Sequence, residues 1–95
     1  MTENEIAYHV VVEGRVTGIG FRWSALNYAK DLSTLKGYIR NAGYSKVEAV
    51  IQGSPTHVEL MLQWMRHGPS YARVDSIQIN PMPVSENLET FNIRA

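Results

Sequence analysis

Nine residues, Gly14-Arg15-Val16-Thr17-Gly18-Ile19-Gly20-Phe21-Arg22, carry the densest set of glycines in the chain and end on an arginine. Gly14, Gly18 and Gly20 can adopt positive φ, which lets successive backbone N–H groups turn inward as a nest for an anion. The residues before this loop are strand-like and those after it helix-like. The loop therefore opens onto a helix N-terminus, where unbonded N–H groups and the helix dipole also favour negative charge. Arg22 falls in the first turn of that helix. A cation there opposes the dipole and is unfavourable unless an anion offsets it. Its planar fork suits two oxygens of a phosphoryl group. The same spacing would also serve a tight strand-to-helix connection with Arg22 as a solvated surface residue, and spacing alone does not decide between the two. Two other phosphate motifs are excluded. No Gly-Lys-Ser/Thr ending makes a Walker A loop, and Trp23 stands where a dinucleotide fingerprint needs its third glycine.

The other chemistry-bearing residues are sparse. His9, His57 and His67 lack the spacing that places two ligands on one helix face, so no metal or cofactor is expected. His67 reads as a cation at a helix C-terminus. Ser24 has no histidine or lysine partner suggested nearby and reads as an ordinary helix residue. The acidic residues are scattered, and no pair can be assigned an acid–base role. Trp23 and Trp64 read as packing residues, with substrate access as the lesser alternative. The chain has no cysteine, which removes thiol nucleophiles, Cys-based zinc sites and disulfides.

The elements that must position the loop follow from pattern. Ile6 to Glu13 is rich in β-branched residues and ends at Gly14; the run Val10-Val11-Val12 suits a central strand buried on much of both faces. Phe21, Ala25, Tyr28, Ala29 and Leu32 share one face at helical spacing, which predicts a helix ending near Ser33-Thr34. Gly37 to Asn41 and Lys46 to Gln52 read as strands joined by a short hairpin loop, Ala42 to Ser45. Ser54-Pro55 supplies an N-cap and a proline at the first helical position, Val58, Met61, Leu62 and Met65 make the apolar stripe, and Gly68-Pro69 stops the helix. Ala72 to Ile79 reads as a fourth strand, Asn80 to Asn87 as a linker-like piece, and Glu89 to Ile93 as a short fifth strand. The order β-α-β-β-α-β with a tail strand predicts an α+β, ferredoxin-like split βαβ sandwich: an antiparallel sheet with two helices on one face.

Ninety-five residues make one domain, 1–95. Nine basic residues balance nine acidic ones, so no general electrostatic grip on nucleic acid or anionic lipid is expected. No apolar run approaches the roughly 20 residues needed to cross a bilayer. The opening Met1-Thr2-Glu3-Asn4-Glu5 lacks the basic and apolar regions of a secretory signal. These features predict a soluble, cytoplasmic domain, and nothing in them demands more than a monomer.

The loop Gly14 to Arg22 resembles the signature of the acylphosphatases, Gly-x-Val-Gln-Gly-Val-x-Phe-Arg. Gly37-Tyr38-Ile39-Arg40-Asn41 followed by Val47-Glu48 and Gly53 is similar to the second segment of that family, Gly68-Pro69 with Ala72 and Val74 to a third, and Phe91 with Ile93 to the closing strand. The likeness spans almost the whole chain in order. The resemblance implies hydrolysis of acyl phosphates to a carboxylate and inorganic phosphate, without metal and without a covalent enzyme intermediate. It implies that Arg22 binds the substrate phosphate together with backbone amides of Val16, Thr17, Gly18, Ile19, Gly20 and Phe21, and that Asn41 orients the attacking water. Inorganic phosphate or sulfate would then be an anion ligand of the same loop. An asparagine side chain both donates and accepts, as that role requires, although asparagine at a strand end is also a common turn residue. The chain departs from the family at Thr17, where glutamine is usual, at Ala42, where threonine is common, and at Tyr44-Ser45-Lys46, which replaces an Asp-Gly turn.

Two other readings stand beside this one. A ferredoxin-like nucleic-acid module would use aromatic residues on its open sheet face, and only Tyr8 on the first strand suggests it. A ligand-sensing or maturation-factor domain would keep the anion loop without useful turnover, and the departures at Thr17 and Ala42 leave that alternative open.

Overall fold

The computed structural model describes residues 4–95. The reading of the opening segment as lacking a signal falls partly on Met1, Thr2 and Glu3, which lie outside the described residues. The elements are β1 (Ile6–Arg15), α1 (Phe21–Ala29), β2 (Lys36–Asn41), β3 (Lys46–Gly53), α2 (Pro55–His67), β4 (Arg73–Pro81) and β5 (Asn92–Ile93). They form the α+β ferredoxin-like arrangement, with strand order β4-β1-β3-β2-β5. The first four strands pair antiparallel, and the short β5 joins β2 in parallel.

Alternation along the strands decides what faces the helices. Val10 and Val12 of β1, Ile39 of β2, and Val47, Ala49 and Ile51 of β3 are buried on that side. They meet Phe21, Ala25 and Ala29 from α1 and Val58, Met61, Leu62 and Met65 from α2. Each such valine, isoleucine or methionine contributes about 1.5–3 kcal/mol when fully buried. Tyr8 is aligned with Ile51 across the β1–β3 pair and packs against this core, so it is not on the open sheet face. The aromatic on that face is Tyr38, whose ring lies 3.9 Å below the Arg94 guanidinium. No helix among the described residues is long and apolar enough to cross a membrane.

Helix α1 ends at Ala29, earlier than its apolar spacing predicts. The chain from there to β2 turns more tightly, with N–H groups of Lys30, Leu32 and Leu35 each bonded to the carbonyl three residues back. Thr34 draws this segment toward α2: its N–H donates to His57 Nδ1 at 3.2 Å and its hydroxyl to Ser54 Oγ at 3.1 Å. Leu32 stays in the core without being helical. Strand β4 runs on through Asn80 and Pro81, which the pattern places in a linker. The following residues cross the open sheet face at the end where β1 begins. There the buried Gln52 donates to the Ser85 carbonyl at 2.8 Å and accepts from the Ser85 N–H at 2.9 Å. The crossing ends in β5 and buries Phe91 against the core.

Candidate active site

Strands β1 and β2 lie on either side of β3 and both run antiparallel to it, so their C-terminal ends share one end of the sheet. The glycine loop leaves β1 there, and Asn41 ends β2 there. The hairpin turn after Asn41 is latched to the loop. Gly14 donates its N–H to the Ser45 carbonyl at 3.1 Å, and Ala42 closes the turn on the Lys46 carbonyl at 3.0 Å.

The side of α1 that Arg22 occupies follows from the helix rotation of about 100° per residue. Phe21, Ala25 and Ala29 point into the core. On one flank Tyr28 stacks on Trp64 of α2, with ring centroids 5.7 Å apart, and the Ser24 hydroxyl meets the Tyr71 hydroxyl at 3.2 Å. Arg22 lies on the opposite flank, with Leu26, which faces Thr90 and Phe91 beside β5. That flank is the β2 side, where Asn41 stands. Asn41 is two residues beyond the buried Ile39, so it shares the helix-facing side of the sheet, but it lies past the core and is exposed. The structure therefore brings Arg22, Asn41 and the loop to one end and one face of the sheet. Trp23 points away from the core and is 69% exposed.

The loop has the electrostatics of an anion site. Gly18 and Gly20 take φ values of +70° and +81°, and Gly20 is the N-cap of α1 in left-handed conformation with no side-chain cap. Among the described residues, the N–H groups of Thr17, Gly18, Ile19, Gly20 and Phe21 have no hydrogen-bond acceptor, while Ser24 N–H begins the helix on the Gly20 carbonyl at 2.9 Å. Val16 differs from the other amides of the expected set. Its N–H already donates to the Gly14 carbonyl at 3.0 Å, and its side chain is buried, because the chain turns back on itself as it leaves β1. Helix α2 provides the contrast within the same molecule. Ser54 caps it by accepting from His57 N–H at 3.2 Å, and Arg66 and His67 occupy its last turn. Helix α1 has no acidic residue in its first turn and carries Arg22 there instead. No salt bridge among the described residues engages Arg22.

Two packing contacts hold the loop from below. Phe21 is buried against Trp64, with ring centroids 5.3 Å apart, and the α2 C-cap Gly68 lies so close that a Cβ there would meet Phe21 Cε2 at 2.4 Å. The Ser45 latch and Tyr71, set beside Gly20 and Ser24, were not foreseen from sequence. The latch uses only backbone atoms, and Tyr71 lies between the matched positions Gly68-Pro69 and Ala72 without being one of them. On the far side of the loop from Arg22 and Asn41 runs a groove of about 610 Å³ that includes Thr17 and Arg15.

The carboxylate most affected by its neighbours lies elsewhere. Glu48, on the open sheet face, accepts from His9 at 2.6 Å and from Arg40 Nε at 2.6 Å. Hydrogen bonds from these two groups hold its carboxyl below the usual glutamate value.

Residues 8–93 match the acylphosphatase family model. The chain is 40% identical over 85 residues to an acylphosphatase of Thermococcus kodakarensis, covering 90% of this chain and 91% of that relative. It is 42% identical over 71 residues to an acylphosphatase of Roseiflexus sp. strain RS-1, covering 75% of each. The solved structure of an acylphosphatase from Coxiella burnetii superposes with a TM-score of 0.86 at 31% identity, covering 96% of this chain and 94% of that one.

Proposed function

The chain belongs to the acylphosphatase family, enzymes that hydrolyse acyl phosphates, and we propose that it does so with Arg22 and the amides of Thr17 to Phe21 holding the phosphate and Asn41 orienting the water. The observation that carries this reading is the uncapped N-terminus of α1: five successive loop amides without acceptors, no acidic residue in the first turn, and a cation at Arg22. A bound phosphoryl group would satisfy the amides and offset the charge of Arg22 against the dipole in one step.

The chemistry asks little else of the protein. A carboxylate is a good leaving group, so a strong general acid is not required. Fixed N–H dipoles and a guanidinium aimed at the equatorial oxygens stabilise the charge that spreads over the phosphoryl group, and positioning of water supplies the rest. Asn41 has the donors and acceptor to hold a water in one orientation. Ala42 offers no hydroxyl to support it, so the hairpin turn closed by the Ala42–Lys46 bond and latched to Gly14 is the support that remains. Thr17 sits at the first free amide, where a change of side chain leaves the N–H in place.

Hydrolysis of benzoyl phosphate, followed by ultraviolet absorbance with excess chelator present, tests the proposal. The protein should turn the substrate over, and Arg22→Ala or Asn41→Ala should lower kcat by about 10²–10³, the usual effect of removing one preorganised group. Full activity in a folded Arg22→Ala protein would refute the mechanism. Phosphate binding without turnover would assign the loop to sensing.

A further inference from the structure

The groove on the far side of the loop has a charge arrangement that phosphate binding by Arg22 does not use. It is lined by Arg15, Thr17, Tyr44, Ser45, Arg73 and Asp75 among others, and its volume is about 610 Å³. Arg15 and Arg73 are aligned partners across the β1–β4 pair, so their side chains leave the sheet on the same side and next to one another. Like charges placed directly opposite in an antiparallel pair repel. Asp75 relieves one of them, accepting from Arg73 Nε at 3.0 Å. The register slip between Glu13 and Gly14 is what lets Asp75 stand beside Arg73 without a β1 partner of its own. No ion pair among the described residues engages Arg15. Glu13, at the groove's edge, is 3.7 Å from Lys46. Arg15 thus stands without an ion pair in a groove whose lining also holds the carboxylates of Asp75, bonded to Arg73, and Glu13, beside Lys46, and that lining contains no aliphatic side chain that would favour an apolar group.

Thr17 belongs both to this groove and to the row of free loop amides. A molecule whose phosphate sits on those amides can therefore extend past Thr17 to Arg15 and Arg73. We infer that the groove is an acyl-group subsite selecting acyl phosphates whose acyl portion carries a second anionic group, with Arg15 and Arg73 as its ligands. The inference rests on the proposal that the loop amides hold the substrate phosphate. It adds a substrate preference to it: a second carboxylate or phosphate between the two guanidinia removes their repulsion and gains charge-assisted hydrogen bonds.

The test compares benzoyl phosphate with 3-carboxybenzoyl and 4-carboxybenzoyl phosphates, which share the reacting group and the ultraviolet signal. The unaltered protein should favour at least one carboxylated substrate by about tenfold in kcat/KM, the size of one partly screened charge-assisted hydrogen bond. Arg73→Gln should abolish that advantage. Arg15→Gln should abolish it as well. Lys30→Gln, which removes an exposed cation outside this groove, should keep it. Equal kcat/KM for the three substrates, or an advantage that survives both arginine substitutions, would overturn the subsite while leaving hydrolysis of benzoyl phosphate intact. An advantage lost equally in Lys30→Gln would reduce it to net charge and overturn it too. Absence of all turnover would instead strike the underlying mechanism, and this inference would fall with it.

Discussion

Replacing Gly68 by alanine should damage stability and turnover together, because this glycine is the floor on which the loop residue Phe21 rests. Gly68 adopts φ +67° and ψ −165°, a combination that side chains other than glycine's reach only under strain. Such strain costs about 1–3 kcal/mol. The added Cβ would also fall 2.4 Å from Phe21 Cε2 and 3.1 Å from Cδ2. Phe21 cannot swing aside freely, since it is 1% exposed and tilted against Trp64. Overpacking of this kind costs about a further 1–3 kcal/mol. A midpoint value near 4 kcal/mol lowers Tm by roughly 16–32 °C, at about 4–8 °C per kcal/mol for a domain this small. Displacement of Phe21 moves its own amide, the last of the five, and a shift of about 1 Å in a positioned group can lower the rate by about 10². Gly43→Ala is the matched control: φ is +118° there, but nothing lies within 4 Å of the added Cβ, so only backbone strain applies. Thermal unfolding by circular dichroism and benzoyl phosphate turnover below the lowered Tm give the two readouts. A Gly68→Ala protein that unfolds no earlier than Gly43→Ala and keeps parental turnover would refute the view that this contact positions the loop.

Three further outcomes follow from contacts away from the loop. Ser54→Ala removes the cap of α2 and its bond from Thr34, and should lower stability by about 1–2 kcal/mol in urea unfolding; parental stability would contradict the capping role. Glu48 has a folded pKa held below the ordinary 4.5 by His9 and Arg40, so the stability it contributes is complete above that value and is lost as pH falls through the folded value. The stability difference between parent and Glu48→Gln should accordingly shrink as unfolding is repeated from neutral to acid pH, and a difference that widens toward acid would have the wrong sign. Gln52→Leu removes both hydrogen bonds to Ser85 and should cost about 1–3 kcal/mol, with the Ser85 amide exchanging much faster while the Ile51 amide in the core strand keeps its protection. Unchanged exchange at Ser85 would show that the crossing segment is held by something else.

What could be read from the residues divides along physical lines. The strand order was legible because β-branched runs such as Ile6 to Glu13 end at glycines, and the helices because the Val58–Met65 stripe buries one face at a period that the sequence reports. The start of α2 was legible because Ser54-Pro55 is a local signal, and local signals survive folding. The end of α1 was not. Leu32 continues the helical period, but tertiary bonds from Thr34 to Ser54 and His57 bend the chain out of the helix, and no local residue announces them. The grouping of Arg22 with Asn41 was legible only through family resemblance, since it depends on β1 and β2 running in parallel on either side of β3. Val16 shows the opposite limit: its place in the motif suggests an available amide, whereas the return of the chain onto the Gly14 carbonyl occupies it. Tyr8 looked like an open-face aromatic until the pairing with Ile51 fixed its side of the sheet.

The claim that the loop itself holds phosphate is tested most directly by titrating the protein with inorganic phosphate while following backbone amide resonances. The largest shifts should fall on Thr17, Gly18, Ile19, Gly20 and Phe21, with Val16 little affected, and they should vanish in Arg22→Ala. Shifts centred on Arg73 and Ser45 with the loop amides unmoved, or loop shifts of parental size in the Arg22 variant, would contradict it.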